Sequence, residues 1–176
     1  LTNATFAACD ALDGLADGLI AKYEGCQFEP ATLRCPGGAD AADTCLSDAQ
    51  IAAVNTLHSP VSFDYALANG VTLYPGWPIG HELASWGAWT MGGAPPPAVQ
   101  PPGPSPGGGL IVNFGAQTIR YYIAKDPALQ TYAFDQNSPQ WKARIQEVSA
   151  MVDSTDPDLA AFAAHGGKLI MQEHFG

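Results

Sequence analysis

Residues 9–20 read CDALDGLADGLI. Asp10, Asp13 and Asp17 stand three and then four residues apart, Gly14 and Gly18 each follow an aspartate, and almost everything else is apolar. Three carboxylates this close suit a hard cation. Calcium takes about six to eight oxygens, and backbone carbonyls can supply those the acids do not. Glycine lets the chain turn tightly enough to aim carbonyls inward. The D-x-[DN]-x-[DN]-G order of an EF-hand is missing. The competing reading is a helix-entry loop with solvated acids. Spacing alone does not choose, although three nearby carboxylates without a cation repel one another.

Cysteines flank and follow this loop at 9, 26, 35 and 45, all in the first quarter of the chain. With no C-x-x-C pair, the pattern argues against a zinc knuckle. Two disulfides are the simpler reading, with three possible connectivities. Pairing nearest neighbours, Cys9–Cys26 and Cys35–Cys45, closes short loops, and a loop of about 15 residues contributes roughly 3 kcal/mol in the chain-entropy account. Disulfides imply an oxidising compartment, so a secreted or periplasmic protein is expected.

The chain has 176 residues, 47% of them hydrophobic and 14% charged, which suits about one globular domain with a real core. A net charge of −10 argues against nucleic acid and anionic membrane surfaces as partners, since both select for Lys and Arg. No apolar run approaches the roughly 20 residues that span a bilayer. No basic n-region with an apolar h-region opens the chain, so no signal peptide is expected within it.

Outward from the loop, residues 3–9 read as the end of a helix and 27–46 as loop. Ser47-Asp48-Ala49-Gln50 is a capping box opening a helix, with Ile51, Val54 and Leu57 on one face until Pro60. Residues 61–94 are irregular and aromatic-rich. Residues 95–109, PPPAVQPPGPSPGGG, form a Pro/Gly tract expected to be a mobile, exposed loop. Leu110, Phe114, Gln117 and Tyr121 have helical spacing, ended by Asp126-Pro127. Ser138 and Pro139 open another helix, striped by Trp141, Ile145, Val148 and Val152. Asp156-Pro157 starts a last helix, with Leu159 and Phe162 inside it and Gly166-Gly167 ending it. Residues 168–171, KLIM, read as a short buried strand.

Gly103-Pro104-Ser105-Pro106-Gly107 matches G-x-S-x-G in letters, but a nucleophile elbow needs a strand before the serine and a helix after it. Prolines flank this one, so Ser105 is not read as catalytic. His58, His81, His165 and His174 show no ligand spacing, and His165 complements a helix dipole. No triad is visible. Tyr74, Trp77, Trp86 and Trp89, with Phe114 and Tyr121, can line a pocket for a flat ligand or simply pack.

The acidic loop, FEPATLRC at 28–35, CLSDAQIAAV at 45–54, LYPGWPIGHE at 73–82, W-x-x-W at 86–89, FGAQTIRYYIAKDP at 114–127 and DPDLAAFAAHGGKLI at 156–170 occur in an order that resembles the tannase/feruloyl esterase family. The resemblance covers nearly the whole chain and departs at the Pro/Gly tract. It implies an α-rich α+β lid domain with long irregular loops, a calcium site and two disulfides, inserted in an α/β-hydrolase. The lid would be residues 1–165, and 166–176 would begin a strand returning to a core absent from this chain. By resemblance, Asp10, Asp13 and Asp17 ligate Ca2+ through side chains, and Leu15 and Leu19 through carbonyls. The calcium would be structural. The resemblance supports the same two disulfides. Trp89, Phe114, Gln117 and Tyr121 are the implied substrate contacts, and an ester of an aromatic acid the implied substrate. Arg120 reads as a surface arginine. The family's Ser, Asp and His have no counterpart here, so the chain is expected to be inactive alone. The alternative is a free-standing, disulfide-bonded calcium or ligand-binding module.

Overall fold

A computed structural model describes residues 1–41, 43–80, 82 and 86–171. They form two compact units, residues 1–61 with 75–87, and residues 62–74 with 88–171. Helices dominate both. Among the described residues no helix is long and apolar enough to cross a membrane.

The first unit begins with α1 (Thr2–Cys9), which buries Thr5 and Cys9 and passes directly into a 3-10 turn at Asp10–Asp13. Gly14 ends that turn at φ 101°, a left-handed conformation that favours glycine. Both expected disulfides are present, Cys9–Cys26 and Cys35–Cys45, with Cα atoms 5.3 and 4.9 Å apart. A short parallel bridge between Arg34 and Leu46 sets Cys35 beside Cys45, through Cys35 N–H to the Leu46 carbonyl at 2.8 Å. The following helix, α2 (Asp48–His58), is capped as read. Ser47 Oγ accepts from the Gln50 N–H at 3.3 Å, and Gln50 Oε1 accepts from the Ser47 N–H at 2.7 Å. Val54 is buried and Ile51 and Leu57 are half-buried, the face that the spacing predicts.

The second unit opens with a two-stranded ribbon that the sequence did not reveal, all of it but Val61, which belongs to the first unit. Its strands are β1 (Val61–Ser62) and β2 (Leu73–Tyr74). Two-residue strands are too short for an alternating pattern to register. Its core is Tyr65, Leu67 and Ile145, covered by Phe63, Val71, Ile123, Phe134 and Trp141. Next come α3 (Leu110–Gln117), a π-helical turn at Thr118–Ala124, α4 (Pro139–Val152) and α5 (Ala160–Ala164). Lys125, at φ 54°, ends the π turn just before Asp126-Pro127.

Val152 does not join the α4 stripe: it is exposed, and Ser149 takes the buried position and accepts the Ala68 N–H at 2.9 Å. The last helix starts at Ala160, because Asp156 and Asp158 turn back to accept the backbone N–H of residues 158 and 160. Leu159 and Phe162 are exposed. KLIM is neither buried nor a strand. Ile170 is 95% exposed, and a lone strand with no ladder partner among the described residues has nothing to hold it. Residues 172–176 lie outside the described residues.

The Pro/Gly tract is tied down rather than free. Gly92 and Gly108 form an antiparallel bridge, and the Gly107 carbonyl accepts from the N–H of Gly93 and Ala94. Gln100 is buried, with its N–H bonded to Gln130 Oε1 at 2.7 Å. Arg120 supplies the remaining anchor. It is 1% exposed, not a surface residue. Its Nε donates to the Leu129 carbonyl at 2.8 Å and its Nη1 to the Pro101 carbonyl at 2.6 Å.

Candidate functional site

The acidic loop is organised by its own aspartates. Asp10 accepts from the Asp17 N–H at 3.3 Å and from the Gly18 N–H at 3.1 Å, drawing the loop's far end back to its start. Asp13 Oδ1 accepts from the Leu15 N–H at 2.9 Å, and Asp17 Oδ1 from the Leu19 N–H at 3.1 Å, each a local Asx turn. Asp13 and Asp17 therefore commit one carboxylate oxygen to the backbone and keep the other. Leu15 and Leu19 are each 60% exposed, and Cys9–Cys26 closes the loop's two ends. The hard oxygen donors fit calcium in kind. Among the described residues, however, no three Asp, Glu, His or Cys side chains gather as a ready metal cluster.

The six aromatic residues read as a possible pocket divide between the units. Trp77 and Trp86 belong to the first; Tyr74, Trp89, Phe114 and Tyr121 belong to the second. Tyr74 packs edge-on against Phe63. Trp89 lies on a π turn at Gly87–Met91 and is 47% exposed. Phe114 and Tyr121 are 62% and 51% exposed. The apolar stripe along α3 and the π turn thus points away from the unit's interior, while Ala116 and Arg120 on the other side are buried. Gln117 is half-buried, and its Nε2 is enclosed without a hydrogen-bond partner among the described residues.

Ser105 sits in the Pro/Gly tract with no strand before it. Its N–H donates to Asn113 Oδ1 at 2.8 Å, which is a turn contact and not a nucleophile elbow. His165 bonds its own helix through the Ala161 carbonyl at 2.8 Å. His81 and His174 lie outside the described residues.

One polar cluster was missed. His58, in the last turn of α2, sets Nε2 3.3 Å from Glu82 Oε1, with their side chains only 14% and 6% exposed. Thr2 Oγ1 and the Gly80 N–H also donate to the Glu82 carboxylate, at 3.2 and 3.0 Å. The Trp77 carbonyl bonds His58 Nδ1 at 2.6 Å, and Trp86 stacks on the imidazole with centroids 5.7 Å apart. Burial opposes charge on both groups, but the pairing overrides it. His58 titrates above its ordinary value because Glu82 and the Trp77 carbonyl favour the cation. Glu82 is pulled down to about 2 by His58 and by backbone N–H donors. Both polar valences of the imidazole are occupied, so the cluster ties α1 and α2 to Trp77, Gly80, Glu82 and Trp86. The sequence held a signal for it: Glu82 is the only Asp, Glu, Lys or Arg between Asp64 and Arg120.

Comparison with known proteins gives a consistent match. The family profile described as tannase and feruloyl esterase aligns with residues 1–176. An uncharacterized esterase of Agrobacterium fabrum is 31% identical over 93% of this chain, which spans 30% of that protein. The mono(2-hydroxyethyl) terephthalate hydrolase of Piscinibacter sakaiensis is 29% identical over 97% of the chain, which spans 32% of it. The crystal structure of feruloyl esterase B from Aspergillus oryzae superposes with a TM-score of 0.65 at 25% identity, covering 95% of this chain and 29% of that one. The chain therefore spans about 30% of the length of the curated relatives it matches.

Proposed function

The chain belongs to the tannase and feruloyl esterase family, and from that premise we propose that it is the lid segment of a secreted carboxylic ester hydrolase acting on esters of aromatic acids. The observation that carries this reading is the family match along the whole chain, set against relatives of which the chain is about 30%. In the intact enzyme an α/β-hydrolase core supplies the Ser-His-Asp relay and the oxyanion hole. This segment supplies the walls of the acyl pocket. Trp89, Phe114 and Tyr121 offer exposed rings that cover an aromatic acyl group and exclude water from it. Gln117 Nε2, enclosed and without a partner among the described residues, donates to an oxygen of the substrate.

The acidic loop belongs to the same proposal. Asp10, Asp13 and Asp17 through carboxylates, and Leu15 and Leu19 through carbonyls, hold one calcium ion that stiffens the loop. The donor chemistry, the two Asx turns and the Cys9–Cys26 closure support this. The two disulfides support an oxidising compartment.

The test compares the 176-residue chain with a longer product of the same gene that includes a Cys-Ser segment upstream and an Asp…His-Cys segment downstream. The long protein is expected to hydrolyse methyl ferulate, methyl gallate or mono(2-hydroxyethyl) terephthalate, and the short chain none of them. Phe114→Ala in the long protein lowers kcat/KM for these esters while sparing a small acetate ester. Serine-dependent turnover by the short chain alone overturns the division of labour.

A further inference from the structure

Trp89 stands on a π turn, Gly87–Met91, with its side chain 47% exposed. A single turn of that kind is rare and holds its shape only where something packs on it. What packs on it is the end of the Pro/Gly tract. A Cβ on Gly109 would meet the Thr90 carbonyl oxygen at 2.2 Å and the Trp89 carbonyl oxygen at 2.9 Å. One on Gly92 would meet the Gly107 carbonyl oxygen at 2.3 Å. The backbone of residues 107–109 thus lies directly against that of residues 89–92. The Gly92–Gly108 bridge joins them, and the Gly107 carbonyl accepts from the Gly93 and Ala94 N–H. All of these residues belong to the second unit.

The tract cannot keep this position by a ladder of its own. Pro101, Pro102, Pro104 and Pro106 have no N–H, so residues 101–106 offer only Gly103 and Ser105 as backbone donors. Asn113, half-buried on α3, makes the closure instead. Its Oδ1 accepts the Ser105 N–H at 2.8 Å, and its Nδ2 donates to the Ser105 and Gly108 carbonyls, each at 3.3 Å. The Gly108 N–H returns to the Ser105 carbonyl at 3.0 Å and completes the turn. An amide that spends both its oxygen and its nitrogen on one turn fixes the turn's distance from α3 as well as its shape. The same helical run therefore works on two sides. Phe114 is 62% exposed, while its neighbour Asn113 grips the turn that backs Trp89. Seven residues on, Arg120 grips the tract's other end at the Pro101 carbonyl, and Tyr121 beside it is 51% exposed.

We propose that Asn113 is a positioning residue for the aromatic-ester reaction: by holding residues 105–109 against the Trp89 turn, it sets where the indole stands in the acyl pocket. This role rests on the reading of Trp89 as a pocket wall. The 176-residue chain labelled with 5-fluorotryptophan carries a fluorine on each of Trp77, Trp86, Trp89 and Trp141, and Trp89→Phe identifies the Trp89 resonance. Asn113→Ala is expected to shift that resonance and to leave in place the one from Trp141, which packs on the unit's core. In the long protein the same substitution should lower kcat/KM for methyl ferulate about tenfold, chiefly through KM, and keep a small acetate ester within about twofold. Asn113→Asp keeps the acceptor for the Ser105 N–H and loses both donors, so it should move both readouts the same way and less far. If Asn113→Ala does not fold, Asn113→Asp decides. An unmoved Trp89 resonance overturns the role. So does an equal loss on the two esters, which would make Asn113 a residue of the fold alone. A long protein that fails, unsubstituted, to turn over methyl ferulate defeats the esterase reading and this role with it, a result distinct from the other two.

Discussion

Glu82 and Arg120 bracket a run of 37 residues that holds no other Asp, Glu, Lys or Arg, and both are buried. Each is satisfied differently. Arg120 is held by carbonyls of Leu129 and Pro101, and Glu82 by His58, Thr2 and the Gly80 N–H. The second arrangement makes stability depend on pH. His58 titrates above its unfolded value of 6.5, so its contribution is complete below that pH and is lost as pH rises through the folded value. Glu82 is lowered from 4.5 to about 2, so its contribution is complete above 4.5 and is lost as pH falls toward 2. Both are intact between pH 4.5 and 6.5. Melting temperature measured against pH is expected to be highest in that window. His58→Gln should flatten the fall on the alkaline side, and an unchanged alkaline limb would remove the ion pair from the account. The sequence showed Glu82 and Arg120 as isolated charges. It did not show their partners, because carbonyl acceptors carry no signature in side-chain spacing, and the histidine lies 24 residues before its carboxylate.

At the scale of elements, legibility follows how local the cause is. The α2 capping box is written in four adjacent residues and appears as read, down to both reciprocal hydrogen bonds. Ser47→Ala removes the acceptor for the Gln50 N–H and is expected to lower stability by about 1 kcal/mol, read as a shift of the urea midpoint at unchanged slope. A slope that also changes would mean that α2 holds more of the unit together than its cap implies. The helix of Pro139–Val152 was legible for the same reason, from Ser138-Pro139 and a regular stripe. What was not legible depends on distant contacts. The π turn at Thr118–Ala124 follows an α-helix with no marker between them, and it swings Arg120 inward while Phe114 and Tyr121 stay exposed. The Pro/Gly tract reads as free chain because proline and glycine cannot build regular structure. Here it is held from outside, by Arg120, by Gln130, and by Tyr132, whose hydroxyl donates to the Pro97 carbonyl.

For the molecule as a whole, the charge balance and the acidic loop pose one problem together. A chain of net charge −10 places three carboxylates within eight residues, on a loop that is mostly exposed. The loop's Asx turns and the Asp10 contacts were invisible in the spacing, which marked the donors but not their directions. The Cys9–Cys26 bond, in contrast, was readable from the cysteine positions. If calcium completes this loop, binding must stabilise the fold by mass action, by about 2.7 kcal/mol at a free concentration 100 times the dissociation constant. Titration of the oxidised chain is expected to show one saturable site with a parallel rise in melting temperature. Sodium chloride at matched ionic strength should not reproduce it, since general screening acts on all the acids alike. Asp13→Asn and Asp17→Asn should each weaken the site, because each removes charge from a ligand while leaving an oxygen for its Asx turn. Magnesium should substitute poorly, as it demands a tighter octahedral shell and gives up water reluctantly. A rise in melting temperature that sodium matches, or that both variants retain, would leave the acids as solvated loop residues and assign the loop's shape to the disulfide and the Asx turns alone.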